Sequence, residues 1–124
     1  MKIATIIARV LLGLVFFVFG LVTLLHLMPT PPPPKGHAGE FMAALFGSGY
    51  IYAVKCFEVA GGALLLIGKK VPLGLTLLGP VIVNILFYSI FLDHTSLPMA
   101  IVIALIALFL LWAYRRAFAG LLGD

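Results

Sequence analysis

The sequence is poor in charge: four acidic and eight basic residues make up only 10% of 124, against 64% hydrophobic residues. Soluble globular domains carry charge on roughly a quarter of their residues, so this balance excludes an ordinary water-soluble fold and marks a membrane protein. Cysteine is nearly absent. The single Cys56 excludes an intramolecular disulfide, a CxxC redox pair and a thiolate zinc cage. It falls within an apolar stretch, where a buried, inert thiol is expected because apolar surroundings disfavour the thiolate. Also missing are a nucleophile beside its base, a phosphate-binding loop and a metal-ligand set, so no self-contained catalytic apparatus is visible. The net charge of +4 does not indicate nucleic acid, because the basic residues come singly or in pairs beside long apolar runs.

What is present is apolar sequence in lengths that cross a bilayer. A helix rising about 1.5 Å per residue needs about 20 apolar residues to span the hydrocarbon layer. Four segments qualify, at about 3–28, 49–68, 71–92 and 98–114, within a single transmembrane domain covering 1–124. The expected fold is all-α, an integral membrane four-helix bundle. The residues from Ala113 to Leu122 extend the fourth helix along the interface. The first span is too long for a signal peptide, and Leu25-His26-Leu27-Met28-Pro29 offers no small-x-small cleavage site, so it reads as retained. Orientation follows from Lys and Arg in short loops. Lys2, Lys69-Lys70 and Arg115-Arg116 all fall on one side, which places both termini of this multi-pass membrane protein in the cytoplasm. Tyr50, Tyr52 and Tyr88 then lie near the outer boundary, and Trp112 and Tyr114 near the inner one.

The long outer loop from Pro29 to Ser48 opens with Pro29-Thr30-Pro31-Pro32-Pro33-Pro34, an extended polyproline II segment that serves as a stiff spacer or a docking strip. Phe41, Met42, Leu45 and Phe46 recur at helical spacing, which predicts a short interfacial helix capping the bundle.

Lys55 and Glu58 lie inside the second span, where an isolated charge costs at least about 2.5–3.5 kcal/mol. Their i, i+3 spacing lets them pair, and the stripe Ile51, Lys55, Glu58, Gly62 marks the face turned to the bundle interior. Arg9, Gly13, Phe16, Gly20 and Thr23 form a matching stripe on the first span, with Arg9 close enough to the helix start to snorkel toward the cytoplasmic surface. In the third span Pro80 removes a backbone hydrogen bond, and Asn84 and Tyr88 follow it along one side. Glu58 and Asn84 both lie about 12–14 Å below the outer boundary. Lys55, Glu58, Asn84 and Tyr88 are therefore the candidate ligand-binding set. Lys55, Glu58 and Asn84 read either as a polar clasp between helices or as the floor of a cavity for a ligand head group. His26, His37 and His94 fall on the outer side without i, i+4 spacing, so neither haem nor metal is expected.

With the spans in place the sequence resembles the DoxX family of small four-helix bacterial membrane proteins over nearly its whole length. The resemblance rests on Ala8-Arg9-Val10-Leu11-Leu12-Gly13-Leu14 with Phe19-Gly20, on Ser48-Gly49-Tyr50, and on Lys55-Cys56-Phe57-Glu58-Val59-Ala60-Gly61-Gly62, similar to a K-x-x-E-x-x-G-G pattern. Val71-Pro72-Leu73-Gly74 through Gly79-Pro80-Val81-Ile82-Val83-Asn84, Leu97-Pro98 and Trp112-Ala113-Tyr114-Arg115-Arg116 complete it. The chain departs from the family at Ser89, where members often carry a histidine about five residues after the asparagine. The resemblance implies a link to membrane redox chemistry, through relatives that are subunits of thiosulfate:quinone oxidoreductases, and also to receptor-assembly chaperones. The expected function is a small subunit or accessory of a quinone-linked membrane oxidoreductase, with quinone as the ligand, the lipid bilayer as surroundings and a membrane or peripheral redox protein as partner, in a possible homo-oligomer. The alternatives are a non-enzymatic scaffold or assembly partner and, behind it, a small-solute or lipid transporter.

Overall fold

The computed structural model describes residues 2–27 and 35–122, and within these every regular element is helical. Six α-helices follow in order: α1 (Lys2–Leu24), α2 (Gly36–Ser48), α3 (Tyr50–Ile67), α4 (Val71–Phe91), α5 (Leu97–Ala113) and α6 (Ala119–Leu122). Four helical segments are long and apolar enough to cross a membrane: α1, α3, α4, and α5 with its preceding 3₁₀ turn. Glycine and proline punctuate the three later spans. Gly68 ends α3 in the left-handed conformation, φ 81°, while Pro72 and Pro98 occupy first-turn positions, where a missing N–H costs nothing.

Two boundaries differ from the sequence expectation. The first helix ends at Leu24, short of Met28, because His26 adopts a left-handed backbone, φ 54°. The Leu27 N–H then reaches the Val22 carbonyl at 3.0 Å and the His26 N–H the Thr23 carbonyl at 3.3 Å, a Schellman-type closure that satisfies carbonyls at the helix end. The fourth span does not continue as one helix to Leu122. It breaks at Tyr114 (φ −103°, ψ 20°) into a 3₁₀ turn over Arg115–Phe118 before α6. The Arg115 guanidinium stacks 4.6 Å above the Trp112 ring and donates to the Trp112 carbonyl at 2.8 Å, occupying that helix end. The polyproline segment Pro29–Pro34 lies outside the described residues.

Around the bundle α1 packs on α3, α3 on α4, α4 on α5, and α5 back on α1. Consecutive spans are thus neighbours, joined by one short turn, residues 68–70, on one side and by α2 and the Asp93–Ser96 turn on the other. The core is a layer of apolar residues near the end where α1 begins: Leu12, Phe16, Leu65, Leu75, Leu78 and Leu110 are all buried. Close approach of the helices there depends on glycine. A Cβ at Gly62 would lie 2.7 Å from the Phe17 amide nitrogen and 2.8 Å from the Gly13 carbonyl oxygen, and one at Gly61 would lie 3.0 Å from the Gly74 carbonyl oxygen. The consecutive glycines of α3 thus seat two neighbours at once, α1 on one side and α4 on the other. Toward the opposite end, beyond Gly61 and Gly74, bulkier residues face each other across α3 and α4, and α2 lies over the space between them.

Candidate functional site

That space is a cavity of about 790 Å³ bounded by three helices. Phe41, Met42 and Leu45 of α2 form its roof, Ile51, Lys55 and Glu58 its α3 wall, and Pro80, Asn84 and Tyr88 its α4 wall. The roof is placed by the glycine junction Gly49, φ 82°, which closes α2 and directly starts α3. Only a left-handed residue reverses the chain within one position, and glycine does so without a Cβ penalty. The Phe41 ring meets the Tyr88 ring at a centroid distance of 5.6 Å, tying roof to α4. The helical stripe anticipated in the loop therefore lines the cavity through Phe41, Met42 and Leu45, with Phe46 outside the lining, although Phe41 and Phe46 are exposed to a similar degree.

Lys55 and Glu58 pair as their spacing predicts. Lys55 Nζ donates to Glu58 Oε1 at 3.3 Å, with Glu58 only 5% exposed. Ile51, Glu58 and Gly62 are buried along the same stripe, as are Gly13, Phe16 and Gly20 on α1. Within the low-dielectric interior the pair replaces two costly isolated charges with one compensated contact.

Asn84 does not join them. Its Nδ2 donates to the Pro80 carbonyl at 2.8 Å on its own helix. A polar side chain in apolar surroundings takes the acceptor within reach, and a carbonyl one turn back is nearer than a neighbouring helix. Of the two readings of Lys55, Glu58 and Asn84, the clasp between helices has no bond to carry it here: one bond stays within α3 and the other within α4. All four candidate residues nevertheless line the same cavity.

One other residue lies elsewhere than expected. Cys56 is not buried in the protein but exposed on the outside of α3, one position round the helix from the inward-facing Lys55. The histidines are scattered: His26 packs its ring edge-on to Tyr52 at 5.7 Å, His37 pairs with Glu40 at 3.3 Å, and His94 bonds the Ile90 carbonyl at 2.6 Å. Ser89, where family members often carry histidine, is completely buried, its hydroxyl 2.8 Å from that of Ser96. Ser96 also donates to the Asp93 carbonyl at 2.9 Å. This hydroxyl pair fastens α4 to the turn before α5, and only the seven-residue separation of two serines in apolar sequence hinted at it.

Comparison with known proteins agrees with this architecture. The DoxX family model matches residues 4–91, which carry α1 to α4 and every cavity-lining residue. The chain is also 31% identical over 120 residues to the uncharacterized protein YwoB of Bacillus subtilis (strain 168), covering 91% of this chain and 78% of YwoB. No solved structure gives a significant match. The family match extends over well more than half of the chain, so the protein belongs to the DoxX family.

Proposed function

We propose that the protein is a small accessory subunit of a quinone-linked oxidoreductase in a bacterial cytoplasmic membrane, and that the cavity between α3 and α4 holds the quinone head group. The observation that carries this reading is that, among the described residues, the one ion pair within the spans, Lys55–Glu58, lines an apolar-walled cavity and joins no two helices. A pair of adjacent residues on one helix contributes nothing to holding that helix against another. Its value lies in what it offers the cavity: an ammonium able to donate to a carbonyl oxygen, and a carboxylate able to accept or deliver a proton.

The cavity suits a flat, largely apolar ring with polar substituents. Phe41 at the roof and Ile51, Pro80 and Tyr88 on the walls supply apolar contact, and a few polar groups face the cavity from its two walls, Lys55 and Glu58 from α3 and Asn84 from α4. Asn84 is a second donor, free to exchange the Pro80 carbonyl for a ligand oxygen. Ala53, Phe57 and Pro80 are exposed at the margins, which leaves a way for a membrane-dissolved ligand to enter from the lipid side. With Lys2, Lys69-Lys70 and Arg115-Arg116 at one end, the positive-inside rule puts that end in the cytoplasm and the cavity in the outer half of the bilayer.

The test is equilibrium binding of an isoprenoid benzoquinone or naphthoquinone to the purified protein in nanodiscs. Lys55→Gln is expected to weaken binding by about tenfold or more, the size of one lost charge-assisted hydrogen bond. Unchanged affinity in both Lys55→Gln and Glu58→Gln would remove the basis for the reading. Electron transfer through the cavity further requires a redox partner, which co-purification in mild detergent would reveal.

A further inference from the structure

The basic residues at the opposite end are not equivalent. Lys2, Lys69, Lys70, Arg115 and Arg116 sit at the margins of their helices, and among the described residues no Asp or Glu shares that end with them. Arg9 is different, because it lies inside α1, within the segment that crosses the membrane. Its guanidinium folds over the turn that ends α3. A Cβ at Gly68 would lie 2.5 Å from Nη1, 3.0 Å from Cζ and 3.3 Å from Nη2 of Arg9. The absence of a side chain at Gly68 is thus what lets the guanidinium lie on bare backbone.

This seat orients the cation without neutralising it. The C-terminal end of α3 carries the negative end of the helix dipole, which attracts a cation. Yet the Arg9 Nε is sealed from solvent with no hydrogen-bond partner, and neither ion pair among the described residues involves Arg9. A guanidinium presents donors in a rigid planar fork matched to phosphate oxygens, and a side chain reaching the end of its bundle meets the layer of lipid phosphates. Lys69 and Lys70 follow Gly68 directly and are exposed, and the left-handed backbone of Lys70, φ 52°, turns the chain at this point into α4. Arg9 from α1 and Lys69 and Lys70 from the α3–α4 turn therefore bring three positive charges to this turn, with no Asp or Glu beside them among the described residues.

We propose that Arg9, Lys69 and Lys70 form a binding site for the phosphate of an anionic membrane lipid, held by the guanidinium fork on the Gly68 turn and flanked by the two ammonium groups. The site is separate from the cavity between α3 and α4, and its occupancy does not depend on what that cavity holds. It links α1 to the α3–α4 turn at the end where the helices approach most closely, so a bound lipid adds a bridge between them.

The experiment is native mass spectrometry of the full chain titrated in detergent with dioleoylphosphatidylglycerol, dioleoylphosphatidylcholine or inorganic phosphate. One phosphatidylglycerol is expected to bind per chain in preference to phosphatidylcholine. Arg9→Gln should weaken it about tenfold or more, as loss of a charge-assisted contact requires. Arg9→Lys keeps the charge but loses the fork, so it should also bind substantially more weakly, and it serves as the test should Arg9→Gln fail to fold. Arg115→Gln/Arg116→Gln removes two charges from the same end away from Gly68, and is expected to change affinity by less than about twofold, as for solvated surface charges. Equal losses in the Arg9 and Arg115/Arg116 variants, or equal binding of the two lipids, would overturn a discrete site in favour of general surface charge. Displacement of the lipid by millimolar inorganic phosphate would overturn the assignment to a lipid.

Discussion

The two ends of this bundle are built from the same helices but in opposite ways. At the end where α1 begins, glycines face backbone and leucines fill the remaining space, so α3 touches both α1 and α4 closely: Leu65, Leu78 and Leu110 have no exposed surface. At the other end α3 and α4 part, and among the described residues the gap is covered by α2, a 13-residue helix whose one buried residue is Ala38. The first region is packed for stability and the second is left open. Glu58 sits just above the closed layer, so the charged pair is supported from beneath by tight packing while its upper side faces the cavity.

The contrast is sharpest in how each region should respond to added or removed atoms. The largest effect is expected at Gly62. In Gly62→Leu the new side chain meets the Phe17 amide and the Gly13 carbonyl, neither of which can move without moving α1, so destabilisation by about 3 kcal/mol, the upper end for overpacking, is predicted. Thermal unfolding followed by size-exclusion chromatography in detergent would show it, and an unchanged midpoint would mean the closed half is looser than described.

Next in size is Lys55→Met, which leaves Glu58 without its partner and should cost about 2.5 kcal/mol, the scale for a lone charge within a membrane helix. Adding Glu58→Leu to it should recover most of that loss, because two well-packed apolar residues replace an ion pair at little cost. Failure of the double variant to recover would show that the pair supports the fold beyond compensating its own charges.

Smaller again is Phe41→Ala at the roof. It removes the ring contact with Tyr88 and should lower stability by about 1 kcal/mol, while opening the cavity to faster ligand exchange in stopped-flow binding. No change in exchange would argue that α2 does not control access.

The smallest effect, and of opposite sign, is at Gly79. A Cβ there meets nothing within 4 Å, so Gly79→Ala should stabilise α4 by less than about 1 kcal/mol through helix propensity and a less flexible unfolded chain. Destabilisation instead would mean that α4 needs the freedom of a glycine immediately before Pro80.

Gly79 and Gly74 also show why part of the site could not be read in advance. Both are glycines in the same apolar helix, and nothing in their local sequence separates one that meets a neighbouring backbone from one that faces open space. The same limit explains Asn84. Its depth matched that of Glu58 from helix rise alone, but which acceptor it takes depends on the distance between α3 and α4 above the Gly61–Gly74 contact. Cys56 follows the same logic, since an apolar stretch in a membrane helix is apolar whether it faces protein or lipid. Lys55–Glu58 was legible because both partners lie on one helix, where a fixed spacing sets their separation.

By itself the sequence determined the four spans, the charged end, the capping helix α2 and the Lys55–Glu58 pair, because hydropathy, glycine and proline signals and i, i+3 spacing all act within one segment. Only the tertiary structure decided that α3 and α4 separate into a cavity, that Asn84 bonds to Pro80, that Ser89 pairs with Ser96, and that Arg9 rests on Gly68. Each of these depends on how far apart two helices lie and how each is rotated, and that is set by the packing of Gly13, Gly61, Gly62 and Gly74 against their neighbours rather than by any one segment.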